Sequence, residues 1–256
     1  MIQIAGRLAT YGEVWLNEQL PRSPDVDVLV IRNRPDPVDG RSCDQSLTLV
    51  SDLTADADAL SRRIARRTWY EIRRAEAKDA LESRYLESPD ARLEEFFDFY
   101  DAFAREKSLP PSYRRGLAAA CAARQLVLTG AGRDGRTLVW HAYVLYGNTV
   151  TLLHSASQLR GLDTAGRALV GRANRWLHWT DMRRFRQEGL ARYDWGGLFI
   201  DESVPHQAQV NRFKRHFGGS PEAMYSCTLP LTIKGRTALA ASDALELVRK
   251  LTNAWH

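Results

Sequence analysis

A carboxylate placed just before two glycines is the most chemically suggestive feature of the sequence. In Tyr193-Asp194-Trp195-Gly196-Gly197, Asp194 closes a short strand-like run, where a carboxylate can take a proton from a nucleophile or cap the Gly196-Gly197 turn. Both uses are open. His154 lies in another strand-like run and carries an imidazole that ordinarily titrates near neutral pH; it can serve as a base or as a packed, hydrogen-bonded side chain. Tyr193 alternates with Asp194 across its strand and therefore faces the core. Arg62, Arg63, Arg66, Arg67, Arg73 and Arg74 are concentrated in one stretch. Their guanidinium forks suit phosphate oxygens, or they form a solvated helix face. Arg73 and Arg74 lead the substrate-binding candidates. Arg212, Lys214, Arg215 and His216 read as the polar side of a short basic helix.

Positioning these groups requires a layered fold. Strand-like runs at Val26–Arg32 and Ser46–Leu53 follow an opening of short strands, separated by Asn33-Arg34-Pro35-Asp36-Pro37. Residues 56–78 carry a helical stripe through Ala65, Trp69, Ile72 and Ala75, with the arginines pointing away from it. A strand at Leu81–Leu86 precedes helices at Ala91–Lys107 and Ser112–Arg124, divided by Pro110-Pro111. Runs at Gln125–Gly130, Thr137–Tyr146 and Thr149–Ser155 then form an antiparallel meander. A long helix, Thr164–Glu188, stops at Gly189 and carries Trp176 and Trp179 toward the core. Ala191–Trp195 is the next strand, followed by a helix at His206–His216, a strand at Ala223–Pro230 and an amphipathic helix at Ala238–Leu251. The order predicts an α/β (α+β) fold with a mixed, mostly antiparallel central sheet flanked by helices. The expected organisation is a strand-rich segment at 1–60 packing on a core at 61–230, with a C-terminal helix at 231–256.

Composition narrows the classes. With 256 residues, 44% of them hydrophobic, the chain can bury a substantial core. No apolar run reaches the roughly 20 residues needed to cross a bilayer, and Met1–Ala9 lacks a signal-peptide core; a soluble cytoplasmic protein is expected. Cys43, Cys121 and Cys227 show neither metal-ligand spacing nor a dense disulfide framework, so structural thiols and no metal are expected. The net charge of +5 favours anionic partners such as a nucleotide, a CoA phosphate or RNA.

Three stretches occur in a telling order: Leu49-Val50-Ser51-Asp52-Leu53 leading into Ile72-Arg73-Arg74-Ala75-Glu76, then Tyr193 to Gly197, then Asn211-Arg212-Phe213-Lys214-Arg215-His216-Phe217-Gly218-Gly219. Together with the element order they resemble the FemAB-like branch of the GNAT acyltransferase superfamily, over about residues 46–228. The resemblance implies a GNAT core whose strands at Thr149–Ser155 and Ala191–Trp195 splay to form an acyl-donor cleft. It implies that Ser155, Arg160, Asp163, Thr164, Ala165, Gly166 and Arg167 meet the donor, with its pyrophosphate on the helix start. Asp163 stands where the GNAT pattern has its central glycine, which sets a carboxylate against that pyrophosphate.

Phe213-Lys214 resembles the family's Phe-Lys step, implying that Lys214 stabilises charge at the reacting carbonyl or phosphate beside Phe213. The implied reaction is N-acyl transfer by direct attack of an amine in a ternary complex, with acyl-CoA as co-substrate. The amine would belong to a cell-envelope precursor or a small biosynthetic molecule. Asp194, Lys214 and His154 are the catalytic candidates. Aminoacyl-tRNA is the alternative donor, and a non-catalytic RNA- or partner-binding protein is the alternative class.

Overall fold

The computed structural model describes residues 1–16, 25–39, 43–87 and 89–241. In chain order its elements are β1 (Ile2–Ala5), β2 (Thr10–Trp15), β3 (Val28–Arg34), β4 (Asp44–Asp52), α1 (Ala57–Arg63), α2 (Arg66–Lys78) and β5 (Glu82–Glu87). A 3-10 turn at Asp90–Arg92 opens α3 (Leu93–Lys107), and α4 (Arg114–Ala122) follows. Then come β6 (Leu126–Arg133), β7 (Arg136–Tyr146), β8 (Thr149–Ser157), α5 (Thr164–Gln187), β9 (Arg192–Leu198), α6 (Pro205–Arg215) and β10 (Ser220–Pro230). Residues 233–241 are helical; the rest of the expected C-terminal helix lies outside the described residues. No helix among the described residues is long and apolar enough to cross a membrane.

The chain divides into two compact units. One comprises the described residues of Met1–Ser46 and Ala223–His256, the other Leu47–Glu222. The first thus takes in both ends of the chain, where the sequence reading set boundaries near residues 60 and 230. Within it, β1 and β2 pair antiparallel, β2 and β3 parallel, and β10 returns antiparallel to β3. Two cysteines expected as separate thiols are joined here: Cys43 and Cys227 form a disulfide across 184 residues of sequence. Spacing hid the pair because Cys43 lies just before β4 while Cys227 is on β10, contributed from the far end of the chain. Cys121 is a buried free thiol whose Sγ donates to Asp90 Oδ1.

The second unit holds the sheet β4-β9-β8-β7-β6-β5, antiparallel throughout except for the β8–β9 pair. Its central strand β7 is buried on both faces along most of its length, as a strand covered on both sides must be. On one face Trp140 meets Phe96 of α3 edge-on at 6.4 Å; on the other, His141 and Tyr143 reach Asp181 of α5. The stripe expected as one helix over 56–78 is broken. Ile64 takes an extended conformation, and the next N–H, on Ala65, donates to His216 O at 2.8 Å instead of continuing the helix. That break ties the start of α2 to the end of α6.

Candidate functional site

The sheet opens where β8 and β9 run side by side. Nine residues of β8 and seven of β9 share only three register pairs, ending at Thr151 opposite Asp194. Beyond that point the strands part, for reasons local to the sequence. The β4–β9 register shifts between Thr48 and Val50, and the β7–β8 register shifts between Ala142 and Tyr143; such bulges bend and twist a strand. Gly196 turns β9 at φ +72°, in a place where a Cβ would lie 3.0 Å from Leu152 O. A side chain there would be strained by conformation and crowded by β8.

Asp194 sits at the crotch of this opening and is 1% exposed. Its Oδ1 accepts from Thr48 Oγ1 and, at 2.8 Å, from Gly196 N. The turn-capping use of this carboxylate is therefore real. Its Oδ2, however, is buried with no hydrogen-bond partner. Burial pushes the carboxyl above the ordinary carboxylate range, against the pull of Thr48, the Gly196 N–H and Lys214.

The carbonyls released by the splay are met by Lys214 of α6, whose Nζ donates to Gly197 O at 2.7 Å and Gly196 O at 3.3 Å. An ammonium has three N–H donors, so one remains for a ligand. Desolvation lowers Lys214 from 10.5 to about 8, with the Asp194 charge acting the other way. What holds α6 in place is Asn211, fully buried: its Oδ1 accepts from Phe199 N, and its Nδ2 donates to Phe199 O and Glu202 Oε1. Phe213, next to Lys214, packs on His178 and Phe217 and under the Arg175 guanidinium.

Beneath β9 runs a second polar cluster that the sequence reading missed. Asp181 Oδ2 accepts from Tyr143 OH at 2.7 Å and Thr129 Oγ1 at 2.8 Å, and lies 2.9 Å from His141 Nδ1. Tyr143 OH meets Tyr193 OH at 2.7 Å, and Tyr193 OH lies 2.9 Å from His178 Nδ1. The rings of His141 and His178 stack at 4.0 Å. Burial, then the neighbouring charges of His141, Lys214 and Arg175, hold His178 well below the usual histidine value. A signal for this cluster was present: His141 and Tyr143 share one strand face, and Asn174, His178 and Asp181 fall on one helix face. Tyr193 faces the core, as its alternation with Asp194 requires.

The remaining candidates are dispersed. His154 packs edge-on against Tyr100 at 4.4 Å and beside Phe96, and desolvation lowers it to about 4. Ser155 is half-buried on β8, opposite His141 of β7. Arg73 and Arg74 are exposed on α2, with Arg73 3.8 Å from Glu76. Arg160, Thr164, Ala165 and Arg167 are exposed around the start of α5. There Asp163 is the helix N-cap: its Oδ1 accepts from Gly166 N at 2.7 Å, and its carbonyl accepts from Arg167 N. The N-cap of α5 is therefore filled by the chain's own carboxylate. A CoA pyrophosphate at this helix start would face that charge, and the residues present do not fit it.

No family model and no curated protein matches the sequence. Solved structures do match. FemX aligns over 70% of this chain and 61% of its own, at 12% identity and a TM-score of 0.58. The C-terminal domain of a protein named as a lysylphosphatidylglycerol synthetase from Agrobacterium fabrum aligns over 85% of this chain and 72% of its own, at 13% identity and a TM-score of 0.51. L-PGS from Bacillus licheniformis gives 84% and 72%, at 10% identity and a TM-score of 0.53. The chain spans about three-fifths of the length of FemX. With the splayed β8–β9 pair and the helices on both sheet faces, these likenesses show that the chain has the GNAT-like fold expected from its element order.

Proposed function

We propose that the protein is an N-acyltransferase in which an amine attacks an activated acyl group directly, at the opening between β8 and β9. The observation that carries this reading is the pairing of two groups there. Asp194 keeps one buried carboxylate oxygen unpartnered, and Lys214 has an ammonium donor to spare beside the freed carbonyls of Gly196 and Gly197. A carboxylate with a raised proton affinity suits removal of a proton from the attacking nitrogen, and the spare Lys214 donor suits the oxyanion that forms. The new bond joins the amine nitrogen to the acyl carbon. The bond from that carbon to the carrier breaks, and the carrier leaves with the electron pair. Phe213 fixes the Lys214 segment against α5. His154 lines the β8 wall in this reading without taking the proton.

Asp163 favours a donor whose phosphates are not held on the α5 start. An aminoacyl ester of RNA meets that condition, as does an acyl-CoA seated elsewhere on the surface; FemX and the lysylphosphatidylglycerol synthetases share this fold. The acceptor amine is that of a cell-envelope precursor or small biosynthetic molecule, and a cytoplasmic setting suits both donors.

Hydroxylamine, a small nucleophile that converts acyl donors to hydroxamates, tests the reading without knowledge of the acceptor. Incubated with the protein and a panel of acyl-CoA thioesters and aminoacyl-tRNAs, it is expected to yield hydroxamate above the uncatalysed rate with at least one donor. An uncatalysed rate with every donor would refute the transferase reading.

A further inference from the structure

Between α2 and α5 lies a cavity of about 450 Å³ whose wall is dominated by basic side chains: Arg67 of α2, Arg167, Arg172 and Arg175 of α5, and the imidazole of His216 at the end of α6, with Glu71 the one carboxylate among its lining residues. Arg172 is neutralised, since its Nε and Nη2 both donate to the carboxylate of Asp79. The other three arginines make no ion pair among the described residues. Arg175 donates only to Gly171 O, at 2.7 Å, and Arg167 to Leu162 O, at 3.1 Å. Both are backbone carbonyls, which satisfy an N–H without cancelling its charge. The field they leave is felt by His216, whose proton affinity is lowered by burial and then by Arg175, Arg212 and Arg67.

Three uncancelled guanidinium groups around one concavity, Arg175 half-buried and Arg67 and Arg167 exposed, against a single carboxylate, make a local positive field that attracts an anion. The forked geometry of arginine matches phosphate oxygens in particular. One arginine of the cavity wall also packs on the helix that carries Lys214. The Arg175 guanidinium lies 5.4 Å over the Phe213 ring, and Phe213 is the chain neighbour of Lys214.

We propose that this α2–α5 cavity binds a phosphate group of the acyl donor, replacing the α5 helix start that Asp163 occupies. The assignment rests on the transferase reading for the identity of the ligand. The shared chemistry is a phosphate oxyanion next to an acyl carrier, whether the pyrophosphate of a CoA thioester or a phosphodiester of an RNA ester.

Calorimetric titration of the full chain with inorganic pyrophosphate, at about 0.15 M ionic strength, tests it without any turnover. The unaltered protein is expected to bind. Arg67→Gln with Arg175→Gln is expected to weaken binding at least tenfold, while Arg105→Gln with Lys107→Gln on α3, an equal loss of charge elsewhere, leaves it unchanged. Melting curves establish that each double variant is folded. The milder Arg67→Lys with Arg175→Lys, expected to retain part of the affinity, serves if the glutamine pair unfolds. Competition with coenzyme A and with a short single-stranded RNA then distinguishes the carriers, and displacement of pyrophosphate by either supports the assignment.

Absence of pyrophosphate binding, or binding equally weakened by the α3 pair, would overturn the site. Binding of pyrophosphate that neither carrier displaces would overturn its assignment to the donor. Failure of the transferase reading looks different: phosphate binding lost with Arg67 and Arg175, but no hydroxamate formed with any donor.

Discussion

Asp181 and Asp194 are two carboxylates of nearly equal burial, 2% and 1% exposed, that the fold treats in opposite ways. Asp181 gathers three partners on one oxygen and holds β6, β7 and α5 together. Asp194 has both its partners on Oδ1 and leaves Oδ2 bare at the place where two strands part. A buried polar group left without a partner costs free energy, so a fold that retains one has usually put it to use. The first carboxylate reads as structure and the second as chemistry. Substitutions that separate stability from activity can break that distinction.

The largest expected effect is on Asp194. Its change to Asn should lower the rate of hydroxamate formation by about 100-fold or more, the scale on which a positioned base acts. The melting temperature should hold or rise at neutral pH. Because burial raises this carboxyl, the folded state disfavours the charged form: the cost is full above the raised value and fades as pH falls toward 3.8. Asp181→Asn should do the reverse, costing about 3 kcal/mol of stability by leaving Thr129, Tyr143 and His141 short of an acceptor. Activity per folded molecule should survive, and denaturant unfolding with a rate normalised to the folded fraction checks both.

Lys214 sharpens the comparison through pH. Its ammonium form is required for an oxyanion donor and is held to about 8, so the rate should fall as pH rises past that value. Lys214→Met should cost about 100-fold. Lys214→Arg should remove the upper limb of the profile, since a guanidinium keeps its proton there. The folded state binds this proton less tightly than the unfolded chain does. The stability cost of Lys214 is therefore full below about 8 and disappears as pH rises past 10.5.

Smaller effects follow elsewhere. Cys43→Ser should cost about 2 to 4 kcal/mol in the oxidised protein, by releasing a long loop in the unfolded state. It should leave the rate unchanged, since both cysteines lie in the unit formed by the chain ends. His154→Phe should change the rate less than threefold. The imidazole at about 4 should put no limb near 6.5 in the pH profile.

What the sequence disclosed follows the range of the interactions involved. Element order from β4 to β10 was legible because apolar periodicity and glycine stops are local, as at Gly189 after α5. The opening at β8–β9 was legible only through the family resemblance, since register shifts such as that at Thr48/Val50 leave no mark in a hydropathy pattern. The break at Ile64–Ala65 was hidden because its cause, the His216 carbonyl, lies about 150 residues away in sequence. The Cys43–Cys227 pair was hidden for the same reason. Among the arginines, composition pointed to the α2 stretch, and the sequence reading singled out Arg73 and Arg74. The cavity instead takes Arg67 from that helix and three arginines from α5, of which only Arg167, at the helix start, stood among the expected donor contacts.

In the proposed transfer, the unpartnered oxygen of Asp194 is kept for the reaction. The most direct test is the rate of hydroxamate formation by Asp194→Asn per folded molecule, measured beside the unaltered protein with whichever donor supports turnover. A loss of about 100-fold or more is expected, with an unchanged or raised melting temperature. A variant that keeps its rate, or that loses it only in proportion to lost folded protein, would contradict it.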